Sequence, residues 1–236
     1  MTQVSLIGIT KPSAYTGCTT ANELIAWAAR VSNPSNQNNT KTASKLVQYL
    51  IREKHWSPFE MVDVSMEIRT TRDIARQILR HRSFSFQEYS QRYADPTKDL
   101  DFVTREARLQ DKKNRQNSIE LEMSDEDRRL VEDWNMMQYK VRKAAQESYK
   151  WAIDNGIAKE QARAVLPEGL TESVVIMKGS LRSWIHYCQI RRDRATQKEH
   201  REVADQCWEI IKHHFPDVDA ALTELEWWAE FEKKLP

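Results

Sequence analysis

Between Val62 and Arg69 the chain alternates without a break. Val62, Val64, Met66 and Ile68 are apolar, while Asp63, Ser65, Glu67 and Arg69 between them are polar or charged. A period of two sends successive side chains to opposite faces, so this stretch is a strand with one face on a core and the other toward water or a partner. Thr70 or Thr71 can cap the helix that follows. In it Ile74 and Ile78 lie one turn apart on the inner side, and Gln77 and Arg80 share another face. Arg80, His81 and Arg82 then fall at the helix's C-terminal end, where the macrodipole and the free carbonyls favour cations. A helix stop signal would look the same.

The remaining segments read as an α+β chain. Val4 to Ile9 is a short strand. Asn22 to Val31 is a helix with Leu24, Trp27, Ala28 and Val31 on one face, stopped by Ser32, Asn33 and Pro34, and a second helix over residues 41–54 buries Ala43, Leu46, Val47, Leu50 and Ile51. His55 to Glu60 is a tight connection into the alternating strand. Phe84, Phe86 and Tyr89 suggest extended structure, 101–108 another strand, and the polar run 110–118 an exposed loop. Ser124, followed by Asp125, Glu126 and Asp127, starts a helix that Leu130, Trp134, Met137, Val141 and Ala144 carry to about Asp154, where Gly156 ends it. Ser173 to Met177 is a β-branched strand. Gly179 and Ser180 open a helix with Leu181, Trp184, Ile185 and Cys188 inward and Arg182, His186 and Gln189 elsewhere, and Arg191 falls at its end. A last long helix covers about 197–213. No repeat or low-complexity linker interrupts the chain, so one domain over residues 1–236 is the simplest organisation.

Composition closes several routes. Lys and Arg number 36 against 35 Asp and Glu, so no overall field draws the chain to nucleic acid or to a membrane surface. The N-terminal apolar run is too short for a signal peptide and no stretch approaches a membrane span, which suggests a soluble cytoplasmic protein. Three cysteines without a CxxC pair argue against a disulfide framework or zinc ribbon. Cys188 and Cys207 read as core residues, and Cys18, beside Gly17, as the one expected to be exposed. With only five glycines, neither GxGxxG nor GxxxxGK[ST] occurs. The six histidines show no HxH or HExxH spacing, so no metal site is expected. Most tryptophans fall on helix faces; Trp56, Trp227 and Trp228 are the ones open to exposure.

What remains is a set of cations at element ends: Arg80, Arg82, Arg92, Arg163, Arg182 and Arg191. Each alone is an ordinary surface arginine. Several at element ends can converge on a phosphate or a flat heterocycle. Together, Arg80-His81-Arg82, seven intervening residues, then Ser90-Gln91-Arg92 resemble the RHRx7SxR signature of the flavin-dependent thymidylate synthases, a family unrelated to the synthases with a cysteine nucleophile. The likeness extends to Ala29-Arg30-Val31-Ser32, to HWSPFE at 55–60 (family pattern HxSPFE or HxTPFE), to Ala75-Arg76-Gln77, to ARAVLP at 162–167 and to RSWIHYCQIR at 182–191. These blocks keep the family's order along nearly the whole chain.

The resemblance implies an α+β fold with a central, mainly antiparallel sheet flanked by helices, assembled as a homotetramer with active sites shared between subunits. It implies reductive methylation of dUMP to dTMP, with 5,10-methylenetetrahydrofolate as one-carbon donor, FAD as redox cofactor and NADPH as reductant. Carried over position by position, the dUMP site is Gln77, Arg80, Glu88, Ser90, Gln91 (through its backbone), Arg92, Arg163 and Arg191. The FAD site is Ser32, His55, Ser57, Glu60, His81, Arg82, Gln87, Ser180, Arg182, His186 and Ile190. Arg191 is the expected catalytic residue: with no cysteine to add at C6 of uracil, a cation near the carbonyl oxygens must stabilise developing enolate charge. Ser90 reads as a binding hydroxyl, since no base is evident beside it. His186 and Gln87 stand where many members have Asn, and the 110–118 loop is an insertion relative to shorter members. Two other readings stay open at this point, a nucleic-acid-binding module and a flavoprotein of this fold that has lost methylation.

Overall fold

The structure, a computed structural model, describes residues 2–233 and 235, without the side chains of Glu226 and Trp227. In chain order its elements are β1 (Gln3–Ile9), α1 (Ala21–Ala29), α2 (Ala43–Arg52), β2 (Asp63–Thr71), α3 (Arg72–Ile78), β3 (Ser85–Glu88), α4 (Pro96–Asp99), β4 (Arg108–Gln110), β5 (Ser118–Glu120) and α5 (Asp125–Asp154). They continue with α6 (Lys159–Ala162), β6 (Glu172–Ser180), α7 (Leu181–Arg191), α8 (Lys198–His214), α9 (Pro216–Thr223) and α10 (Glu226–Glu232). The main sheet has the order β1-β2-β6-β3, antiparallel throughout.

The alternating strand is β2, in the interior of that sheet. Val62, Val64, Met66 and Ile68 are fully buried under the helices, and Asp63, Ser65, Glu67 and Arg69 lie half-buried on the other face. β2 pairs with β6 from Asp63↔Ser180 to Thr71↔Glu172, and each strand runs directly into a helix. Antiparallel pairing therefore sends α3 and α7 out at opposite ends of the sheet. One large core joins α1, α2, α7, α8 and α9 to the sheet, with Trp184, Trp208 and Trp228 among its fully buried side chains. No helix among the described residues is long and apolar enough to cross a membrane.

Several local expectations fail for tertiary reasons. α1 buries Ile25 and Ala26, whereas Val31, placed on its inner face by periodicity, is 65% exposed. The helix ends at Ala29, and Val31 lies in the 3-10 turn beyond it. Of the strand expected over 101–108, residues 101–107 form none; one bridge, Phe102↔Thr171, is followed by a segment held by side chains, and strands appear only where β4, which starts at Arg108, and β5 flank the polar loop. Cys18 is buried, as is Trp228, while Trp134 and Trp151 are exposed.

The largest surprise is α5. Its start is as expected, with Ser124 and Asp127 forming a reciprocal capping box, and Gly156 follows its end at φ +76. Its apolar stripe, however, faces outward: Leu130, Trp134, Met137 and Val141 are exposed, and the helix buries only Gln138, Ala145, Tyr149 and Ala152. The stripe has helical periodicity and no cover among the described residues.

One close approach is testable. A Cβ at Gly179 would run into the ring of Phe84, with Cε1 at 2.7 Å. That ring is held edge-on by Trp184 at 4.9 Å and Tyr187 at 5.9 Å, so it has little room to yield. Gly179→Ala is expected to cost about 1–3 kcal/mol. Thermal unfolding reads this directly, and a melting temperature equal to the parent's contradicts the tight packing.

Candidate active site

α3 carries Arg72 and Arg76 one turn apart, and the chain then reverses through Arg80, His81 and Arg82 into β3. The reversal is made by backbone bonds from His81 N to Ile78 O and from Phe84 N to His81 O. β3 lies along β6, so Glu88 points back over α3. Its carboxylate takes hydrogen bonds from Arg76 (3.2 Å) and Ser173 (3.0 Å) and pairs with Arg72 at 3.6 Å. Arg72, Arg76 and Glu88 line a cleft of about 600 Å³ with Tyr89, Ser90, Gln91, Arg163 and Glu168.

Within this cleft Gln91 is 97% buried, and its Nε2 has no hydrogen-bond partner among the described residues. An unpaired buried donor costs roughly 1–3 kcal/mol, so a polar group that met it would be favoured. Arg92 pairs with Glu160 at 3.5 Å, and Arg163 donates to the Glu160 carbonyl at 3.3 Å, so two of the expected cations approach the same residue. The Ser90 hydroxyl accepts only from Arg92 N (3.4 Å) among the described residues, and no base stands beside it.

A second cleft, about 500 Å³, opens where α7 meets the turn before β2, lined by Lys54, Trp56, Glu60, Ser83, Arg182 and His186 among others. Ser180 is the N-cap of α7 and accepts from Ser183 N at 3.2 Å, while its hydroxyl donates to Glu60. Glu60 also accepts from Arg182 at 3.0 Å. His55 and Ser57 are exposed on the adjoining turn.

Arg191, at the end of α7, donates through Nε to Nε2 of His81 at 2.8 Å. His81 Nε2 must then be unprotonated, and the ring neutral. Burial, reinforced by the Arg191 and His186 charges, pushes the His81 pKa down to about 4. The Arg191 Nη groups have no protein partner among the described residues. Behind this pair the fully buried Tyr187 meets the His81 ring edge-to-face at 4.9 Å and reaches His200, whose pKa burial lowers to about 3.

The expected residues are thus only partly gathered. Glu88, Ser90, Gln91 and Arg163 share the first cleft, and Glu60, Arg182 and His186 share the second. Arg80 and Arg82 are exposed without an ion pair among the described residues. Ser32 lies in the turn after α1, Ile190 is 39% exposed, and Gln87 sits on the outer sheet face opposite Ile176, away from its neighbour Glu88. Arg72 and Arg76 were not singled out as site residues from sequence, although Arg72, Arg76 and Arg80 repeat every four residues.

Fold and clefts define an α+β protein with a pair of cation-lined, half-open pockets and, outside both linings, an arginine hydrogen-bonded to a neutral histidine. Among known proteins, the family described as "Thymidylate synthase complementing protein" matches residues 14–217. A probable flavin-dependent thymidylate synthase of Paramecium bursaria Chlorella virus 1 is 48% identical over 217 residues, 92% of this chain and 97% of that protein. The flavin-dependent thymidylate synthase of a Synechocystis species is 52% identical over 204 residues, 86% of this chain and 89% of that protein. Among solved structures, the UMP/dUMP methylase PolB from Streptomyces cacaoi, bound with 5-Br dUMP, superposes with a TM-score of 0.76 at 26% identity, covering 94% of this chain and 95% of that one. The chain belongs to the flavin-dependent thymidylate synthase family.

Proposed function

We propose that the protein methylates dUMP reductively to dTMP, taking the one-carbon unit from 5,10-methylenetetrahydrofolate and reducing equivalents from NADPH through FAD. The observation that carries this reading is the hydrogen bond that fixes Arg191 on a neutral His81 and leaves its Nη donors open, in a chain of this family. The first cleft would take dUMP. Arg163, Arg92 and Arg80 supply guanidinium forks suited to the phosphate, and Gln77, Ser90 and Gln91 supply polar groups for the remainder. Glu88, charge-balanced by Arg72 and Arg76, is available to accept a hydroxyl.

The second cleft would hold FAD, with Glu60, Ser180, Arg182 and His186 as ligands and His55, Ser57, His81 and Arg82 at its margin. Its mixed lining, Trp56 and Ile185 beside Arg182 and His186, suits a flat ring joined to charged groups. When bound, FAD supplies the hydride chemistry that the side chains cannot. The protein's own contribution is electrostatic. Arg191 is held by His81 through Nε alone, which leaves its Nη donors for a uracil carbonyl as enolate charge develops. A covalent route through cysteine is poorly supported, because Cys188 and Cys207 are fully buried and burial raises both thiol pKa values.

Self-association as a homotetramer fits the outward apolar stripe of α5, and neighbouring subunits would bring Ser32, Gln87 and Ile190 to the flavin. The purified protein is expected to be yellow, to bleach with NADPH in the absence of oxygen, and to have the mass of a tetramer. A colourless monomer that binds DNA with steep salt dependence contradicts this reading.

A further inference from the structure

Gln77 stands inside a hydrogen-bond chain whose direction is set at its far end. Glu199, in the first turn of α8, is a carboxylate clamped by Arg105 at 3.2 Å and by Arg108. Charged, it can only accept. The Gln197 amide therefore turns Nε2 toward Glu199, at 2.8 Å, and presents Oε1 to Gln77. Gln77 answers with its own Nε2, at 2.9 Å, which leaves its Oε1 facing Nδ1 of His200 at 3.2 Å. Nδ1 must carry the imidazole proton. His200 Nε2 is then bare and receives the Tyr187 hydroxyl at 3.1 Å. Reversing the Gln77 amide would oppose donor to donor and acceptor to acceptor, and His200 and Tyr187 are fully buried at the end where water could not repair the mismatch.

We propose that Glu199 is a positioning residue for the nucleotide: acting through Gln197, and with His200 and Tyr187 closing the other end, it locks the Gln77 amide in one orientation. In that orientation one N–H and one oxygen lone pair of Gln77 remain for a ligand. The proposal rests on the reading of Gln77 as a dUMP-binding residue. Neither Glu199 nor Gln77 is among the residues lining the two clefts, so Glu199 would act on the nucleotide only through Gln77. Sequence gave no hint of this role, because Gln197 and Glu199 meet Gln77 only when α8 docks on α3.

The test is steady-state kinetics of the flavin-loaded enzyme with dUMP varied. Glu199→Gln removes the accept-only end, so both amides can turn over together. The KM for dUMP is expected to rise about fivefold with kcat changed by less than about twofold. Gln197→Met interrupts the chain at an exposed position that the fold tolerates and should raise KM similarly. Adding Gln197→Glu to Glu199→Gln restores an accept-only group against Gln77 Nε2 and should return KM to within about twofold of the parent. A purely structural role for Glu199 would lower the melting temperature and leave KM unmoved; that result, or a raised KM that Gln197→Glu fails to rescue, overturns the proposal. Gln77→Ala separates the two layers. A raised KM there with none in Glu199→Gln and Gln197→Met overturns the relay alone, whereas an unchanged KM in Gln77→Ala removes Gln77 from the nucleotide site and the relay with it.

Discussion

Arg191→Ala is expected to lower kcat by about 10²- to 10³-fold, the usual loss when one donor to a developing oxyanion is removed. The fold should survive. Arg191 is partly exposed at the end of α7, and its Nε hydrogen bond to His81 is the only one its side chain makes among the described residues. A second readout ties the effect to geometry. The Arg191 charge is, after burial, the next cause holding His81 down to about pH 4, so its removal should raise the His81 pKa toward the ordinary 6.5, measurable by NMR. Near-parental turnover in the variant would show that the enolate charge is met elsewhere. An unmoved His81 pKa would contradict the bridge.

Acid is expected to destabilise the protein well above the range where carboxylates titrate. His200 is buried without charge, and its pKa falls from 6.5 in the unfolded chain to about 3 in the folded one. Between those values the unfolded state binds the proton and the folded state does not, so stability falls as pH drops. The contribution is complete above pH 6.5 and is lost progressively below it. At pH 5 His200 alone should cost about 2 kcal/mol relative to neutral pH. His81, shifted in the same direction, adds a smaller amount because it is less buried. Denaturant unfolding at pH 7 and pH 5 measures the difference. His200→Gln should flatten the profile, and a parent protein equally stable at both pH values would contradict neutral burial of His200.

The elements legible from sequence are those whose signals are local. The alternation of Val62 to Arg69 placed β2, the Ser124 cap placed the start of α5, and Gly179-Ser180 marked where α7 opens. Faces and extended segments that depend on distant partners were not legible. Residues 101–107 lack a strand because Arg105 is tied by its side chain to Asp73 at 2.6 Å and Glu199 at 3.2 Å, and by its backbone N–H to Gln138 at 2.6 Å. The stripe of α5 was legible as an apolar face but its direction was not, because a period of 3.6 does not reveal what covers the face.

The site divides the same way. The run from Arg80 to Arg92 was visible as a contiguous motif, and its turn back along β6 puts Ser90 and Gln91 beside Arg163. The pairing of Glu88 with Arg72 and Arg76, and the chain from Glu199 to Tyr187, join residues far apart in sequence. Only the docking of α3 against β6 and α8 brings them together. Ser32, Gln87 and Ile190, expected at one flavin, line neither of the two clefts.

The most direct test of the account is transfer of labelled carbon from 5,10-methylenetetrahydrofolate to dUMP by the flavin-loaded protein. Labelled dTMP should form only when NADPH is also present. A flavin-loaded tetramer that oxidises NADPH yet forms no dTMP would contradict the central claim.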